Sequence, residues 1–398
     1  MANVGILPGD LIVSDSVAPG LTIMQPLDNS RGYKQSSFYL NTGAYTQLDI
    51  SPDRTKLLAT WGSSPYFRIF PMDGDTAYQN PVSNPAGAVR RSVWRPDGSE
   101  FAVSHAISPF ITRYNSNDLS KITEFTSLPA TTGGDIKYSP DGRYLAMGYN
   151  TPTFASPGYV LYDLTDDSLV SGLPALTSNC TGLCFTADSS KLVLQQRTSS
   201  HVAQVLDIAA KTLTPITGLT SGATAEKYLR LSPDGSKMAI SRAGSPYLVV
   251  YDTATFSEYT TSAFPNIESA TVNDIRWVDN NTLVVSQGYT RVYDVSTPTP
   301  VYLGMPEGGH TGTSFECMPS GARRKFAGVV TDGGSNFLQR KVRAIDRNTG
   351  RPIGETVSSA VDGTFELIVF SPNPAIVYCV GEGAEITKLS DSVTPVPL

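Results

Sequence analysis

Leu229-Arg-Leu-Ser-Pro-Asp-Gly-Ser-Lys-Met-Ala239 is the stretch whose reading decides the fold. Leu229 and Leu231 alternate with Arg230, the period of a strand that buries one face. Ser-Pro-Asp-Gly then reverses the chain: Pro233 presets φ at the second turn position, Asp234 suits the third, and Gly235 supplies a left-handed residue. Lys237-Met-Ala-Ile-Ser241 returns as a second apolar strand.

The phrase recurs. It reads Leu48-Asp-Ile-Ser-Pro-Asp-Arg-Thr-Lys-Leu-Leu-Ala59, Val93-Trp-Arg-Pro-Asp-Gly-Ser-Glu-Phe-Ala102 and Ile136-Lys-Tyr-Ser-Pro-Asp-Gly-Arg-Tyr-Leu-Ala146. Degenerate copies are Leu183-Cys-Phe-Thr-Ala-Asp-Ser-Ser-Lys-Leu-Val193 and Ile275-Arg-Trp-Val-Asp-Asn-Asn-Thr-Leu-Val284. The residues before the turns are Ile50, Trp94, Tyr138, Phe185, Leu231 and Trp277, spaced by 44, 44, 47, 46 and 46 residues. Further along each copy a third strand ends in an aromatic-acid pair, as in Val160-Leu-Tyr-Asp163, Val249-Val-Tyr-Asp252 and Arg291-Val-Tyr-Asp294; Val205-Leu-Asp207 keeps only the acid. A more polar fourth strand follows, such as Glu258-Tyr-Thr-Thr-Ser262. Four antiparallel strands per repeat of this length predict the blade of a β-propeller.

These phrases resemble the WD40-like family, with Tyr-Asp where that family often has Trp-Asp and without its regular Gly-His pair. The resemblance covers residues 10–321 and implies a fold, not an activity. Residues 11–28 align with the second and third strands of a blade, and Ser36-Ser-Phe-Tyr-Leu40 would be its fourth. Ser314-Phe-Glu-Cys-Met-Pro-Ser-Gly321 reads as a first strand and turn. A seventh blade closed by both ends of the domain is therefore expected; an irregular six-bladed ring is the alternative.

From residue 322 to 398 the pattern becomes short alternating strands joined by Asn348-Thr-Gly350 and Asp362-Gly363 turns, predicting a small β-sandwich. The chain thus divides into a propeller, 1–321, and an appended module, 322–398. The module resembles carboxypeptidase-regulatory-like, immunoglobulin-like domains through Gly328-Val-Val330, Val342-Arg-Ala-Ile-Asp-Arg-Asn-Thr-Gly350, Gly354-Glu-Thr-Val-Ser358, Asp362-Gly-Thr-Phe365 and Asp391-Ser-Val-Thr-Pro-Val396. The version with that ending resembles modules appended to tail-associated proteins of tailed bacteriophages.

Composition agrees with an all-β reading. Only 17% of the 398 residues are charged, against roughly 25% in a typical soluble domain, and 34 Gly and 28 Pro disfavour helices. A net charge of −6 gives no general attraction to nucleic acid or anionic lipid. The module holds nine Lys/Arg against eight Asp/Glu, so the acidity belongs to the propeller. No apolar run approaches the roughly 18 residues of a membrane span, and no secretory signal is visible at Met1-Ala-Asn-Val-Gly5.

The search for chemistry returns no catalytic, cofactor or metal residues. His105, His201 and His310 fall apart in sequence and read as loop or strand-surface residues. Cys180 and Cys184, separated by three residues, read as buried thiols rather than a zinc site. Asp53, Asp97, Asp141, Asp188 and Asp234 belong to turns, and Asp163, Asp252 and Asp294 look like repeat features. There is no Gly-x-Ser-x-Gly elbow, Walker loop or Rossmann fingerprint. Arg323-Arg-Lys325 with Arg340-Lys-Val-Arg343 could form a basic patch, but solvated strand-edge charges that discourage aggregation are the favoured reading. Tyr66-Phe67, Phe110 and Tyr247 read as exposed loop aromatics.

The resemblances and the empty search lead to an expected non-enzymatic structural protein of a bacteriophage virion, tail-associated, present in multiple copies and assembled in the host cytoplasm. Expected partners are other virion proteins and a host-surface receptor or glycan, with no nucleic acid, membrane insertion, metal or cofactor. A cytosolic peptide-binding scaffold and a carbohydrate-active enzyme are the competing readings.

Overall fold

A computed structural model describes residues 11–14, 20–26, 33–40, 47–53, 55–71, 78–125, 132–150, 158–196, 203–216, 228–242, 245–267, 272, 274–287, 289–304, 314–317, 324–330, 338–346, 352–369, 375–380, 386–393 and 396–397. Every regular element among them is a strand, and all named pairings are antiparallel. The chain folds as a β-propeller with six blades of consecutive strands.

Blade 1 comprises Gln47–Ile50, Lys56–Thr60 and Phe67–Pro71. Blade 2 comprises Val89–Trp94, Glu100–His105, Ile111–Asn115 and Lys121–Phe125. Blade 3 follows with Thr132–Tyr138, Tyr144–Asn150, Tyr159–Asp163 and Ser168–Leu169, and blade 4 with Cys180–Phe185, Lys191–Gln196, Ala203–Asp207 and Thr212–Pro215. Leu229–Leu231, Lys237–Ser241 and Leu248–Asp252 make blade 5; Asp274–Trp277, Thr282–Gln287, Tyr289–Asp294 and Val301–Gly304 make blade 6. The fourth strand expected at 258–262 reduces to one bridge, Tyr251 to Glu258, because Thr260 turns inward and its Oγ1 accepts from Val250 N at 3.2 Å.

The blade count is six where the sequence predicts seven. The difference lies in a four-stranded sheet ordered Ser314–Cys317, Leu11–Ser14, Gly20–Pro26, Tyr33–Leu40. No hairpin joins its first strand to its second; Leu11 to Cys317 and Ser14 to Ser314 pair across the two ends of the domain. Beyond it lie two further sheets, Thr364–Val369, Arg324–Val329, Val396–Pro397 and Pro352–Val357, Lys341–Asp346, Ala375–Val380, Ile386–Val393.

The turns behave as the sequence implies. Ser51, Thr186 and Ser232 hydroxyls donate to Asp53, Asp188 and Asp234 at 2.6, 2.6 and 2.7 Å. Gly235 takes φ +71°, and in the degenerate copy Ser189 adopts +62° at the same place. The acids that end the third strands hold the next turn: Asp252 accepts from Ala254 N at 3.0 Å and Asp294 from Ser296 N at 2.8 Å.

Core residues gather between blades rather than at one centre. Leu58, Phe67 and Ile69 of blade 1 pack with Val89, Trp94 and Phe101 of blade 2. Ala146, Tyr159 and Leu161 of blade 3 pack with Leu183, Phe185 and Leu192 of blade 4. Middle strands such as Glu100–His105 and Thr282–Gln287 are consequently buried along their whole length, not on alternate residues. Polar bonds at one-repeat separation join the same neighbours: Gln47 Nε2 donates to Ser92 O at 3.0 Å, Gln195 Nε2 to Ser241 O at 2.8 Å, and Trp277 Nε1 to Arg230 O at 3.0 Å.

A buried ion pair within blade 2 is tied to blade 3. Arg113 donates through Nε and Nη2 to Glu100 at 3.1 and 2.8 Å, and the Tyr138 hydroxyl donates to Glu100 Oε1 at 3.0 Å. Arg113 also pairs with Asp167 of blade 3.

Candidate functional site

Alternation along each innermost strand puts the residues one and three before the pre-turn residue on one side. Those residues are Gln47, Asp49, Arg91, Val93, Asp135, Lys137, Gly182, Cys184, Tyr228, Arg230, Asp274 and Arg276. Asp135, Lys137, Arg230, Asp274 and Arg276 meet around the propeller axis. Arg276 Nη1 donates to Asp274 Oδ1 at 2.8 Å, and Lys137 Nζ to Asp135 Oδ1 at 3.0 Å. Arg230 lies between Asp135 and Asp274, 3.7 Å from each. This joins blade 5 to blade 3 across blade 4, where Gly182 and Cys184 are small enough to leave the path open. Arg276 Nη2 reaches Leu48 O of blade 1 at 3.4 Å.

Burial pushes the Asp135 carboxyl up, but the charges of Lys137, Arg230 and Arg91 outweigh it and hold the group at about 2. Burial lowers the Lys137 ammonium, opposed by Asp135. A carboxylate held this low gives up no proton at neutral pH and accepts one poorly, so it suits neither general-acid nor general-base work. The arrangement can cross-link the blades and present a fixed polar axis.

The residues singled out in sequence are not brought together. Cys180 and Cys184 are buried in the first strand of blade 4, and burial pushes both thiols up, as expected of structural cysteines. His105 corrects its reading as a surface residue: it is 0% exposed at the end of a blade 2 strand, and its Nε2 bonds Thr112 Oγ1 at 3.0 Å. His201 and His310 lie outside the described residues. Phe67 and Phe110 are likewise buried rather than exposed, at 0% and 8%. Their loops turn through cis Ser64–Pro65 and Ser108–Pro109 bonds, and Tyr66 and Phe110 take φ +71° and +67°, which folds the aromatics into the inter-blade core. Tyr247, after cis Ser245–Pro246, packs partly buried against the blade 5–6 core. Of the basic residues near 323–343, Arg340 Nη1 donates to Gln339 O at 3.0 Å; the side chains of Arg323, Arg324, Lys325, Lys341 and Arg343 lie outside the described residues.

His105 carries a pH prediction. Burial depresses its imidazole to about 4 from 6.5. As pH falls through 6.5 the unfolded chain takes up the proton and the folded chain does not. Stability is therefore full above 6.5 and declines toward pH 4 by about 3 kcal/mol. Urea unfolding at several pH values should show this loss in the native chain and a shallower one in His105→Gln; equal slopes would remove the assignment.

The axial ion-pair residues were missed in the sequence reading. Their signal is a charge at a fixed register in otherwise apolar strands, as in Asp135-Ile-Lys137 and Asp274-Ile-Arg276. Among the described residues no group of three or more His, Cys, Asp or Glu could hold a metal ion, and no helix is long and apolar enough to cross a membrane. In comparison with known proteins, no family model matches the chain and no curated protein does.

Proposed function

We propose that the chain is a non-enzymatic docking platform of a bacteriophage particle, tail-associated and present in multiple copies. The observation that supports it best is the axial network. Asp135 and Asp274, the buried carboxylates where a propeller would place its chemistry, are each paired with cations that also tie blades 3, 5 and 6 together. The recurrent turn acids hold turns. Blades cross-linked at the axis in this way are suited to presenting their loops for binding.

In this reading the two-ended sheet is the seventh blade, since its strand Ser314–Cys317 neighbours both Asp274–Trp277 of blade 6 and Gln47–Ile50 of blade 1. Closing the ring there removes two exposed sheet edges. The two C-terminal sheets form the sandwich of residues 322–398; Val342, Phe365, Val377 and Cys379 are buried there. The sandwich would join the disc to neighbouring virion proteins while the disc faces a host receptor or glycan. The phage assignment rests on the resemblance of the module. Mass spectrometry of purified virions tests it: the chain should be present at several copies per particle, and its absence would overturn the proposal.

A further inference from the structure

We propose that the rim cleft between blades 4 and 5 is a saccharide-binding subsite. The cleft has a volume of about 410 Å³, within the range of small-molecule sites. It exists because one repeat position changes character around the ring.

Four residues after the last residue of the third strand in blades 2 to 5 (Asn115, Asp163, Asp207 and Asp252), the chain takes a left-handed conformation: Leu119 at φ +56°, Asp167 at +54°, Lys211 at +54° and Phe256 at +52°. Each of these side chains meets the preceding blade. Leu119 is buried in the blade 1–2 core, and Asp167 pairs with Arg113 between blades 2 and 3. Lys211 Nζ donates to Ser171 O between blades 3 and 4 at 2.7 Å. At the next boundary Phe256 is only half-buried. Its ring faces the Lys191 ammonium, 5.6 Å from the centroid, and the cleft opens beside it.

The lining matches the chemistry of a sugar ring. Phe256 offers an aromatic surface to an apolar C–H face, over a floor of buried Val205 and Ile216. Lys191 and Asp207 are cross-strand partners that supply a donor and an acceptor. One Asp207 oxygen accepts from Ala210 N at 2.8 Å; the other has no partner among the described residues. Exposed Thr212 and Thr214 add two hydroxyls that can both donate and accept, beside Thr255, whose own hydroxyl is held by Asp252 at 2.9 Å and Ser257 at 2.7 Å. A purely apolar ligand would leave these groups unpaired, whereas a pyranose satisfies both the ring and the polar rim.

The proposal relies on the platform reading only for the source of the saccharide, a host-surface glycan. The full chain should be probed by saturation-transfer NMR with the methyl glycosides of glucose, galactose, N-acetylglucosamine and glucuronic acid. At least one should bind in the millimolar range and weaken about tenfold in Phe256→Gly and in Asp207→Asn. Glycine suits φ +52°, so Phe256→Gly removes the ring while keeping the turn, and an unchanged circular dichroism melt verifies the fold. No transfer to any of the four, or binding unaltered in both variants, overturns the subsite. Binding by a chain absent from virions would keep the subsite and remove only the platform.

Discussion

Glu100→Ala is expected to destabilise the propeller by about 3–5 kcal/mol, the usual consequence of removing one partner from a buried ion pair. Glu100 is 3% exposed and Arg113 5%, so the variant leaves a guanidinium away from water with only the half-exposed Asp167 to compensate it. Tyr138 loses the acceptor of its hydroxyl as well. Urea unfolding monitored by tryptophan fluorescence measures the change. The double variant Glu100→Leu/Arg113→Met should recover more than half of the loss, because the cost is that of an uncompensated charge rather than of a missing attraction. A single variant within about 1 kcal/mol of the native chain would show that the pair is solvated.

Asp274→Ala should have a comparable global effect, about 3 kcal/mol, and a distinctive local one. Asp274 anchors Arg276 and approaches Arg230, and it also accepts from Ile275 N at 2.9 Å. Arg276 in turn bonds Leu48 O, 228 positions away, linking the last consecutive blade to the first. Removing the carboxylate frees that guanidinium and weakens the join. Hydrogen exchange should accelerate in peptides from residues 47–60 and 274–287 while residues 180–196 keep their protection. Uniform acceleration across all three would refute the seam assignment and leave only a general loss of stability.

The propeller was legible because its signal is local and repeated. Ser-Pro-Asp-Gly, the alternation before it and the acid twenty-three residues after Pro, as from Pro140 to Asp163, all lie within one blade, so counting along the chain suffices. What escaped depends on neighbours. Asp135 and Arg230 come from blades 3 and 5, and no spacing rule within a repeat pairs them. His105 sits in a strand buried along its whole length, so its reading as a loop or strand-surface residue gave the wrong exposure. Phe67 and Phe110 follow loop prolines and look exposed in sequence, but left-handed residues in their turns redirect them inward. The strand expected at 258–262 failed for a related reason, since the Thr260 hydroxyl takes over Val250 N, a backbone donor that a ladder would otherwise use.

The polar bonds that join neighbours at 45, 46 and 47 positions have a consequence for how the molecule can be cut and rejoined. They record which blade follows which, and nothing in them marks a first or a last. Opening the backbone between blades 3 and 4, for instance, and fusing the chain elsewhere would preserve every one of these nearest-neighbour links. The order of the blades is thus written into these links, whereas no blade is marked by them as the first.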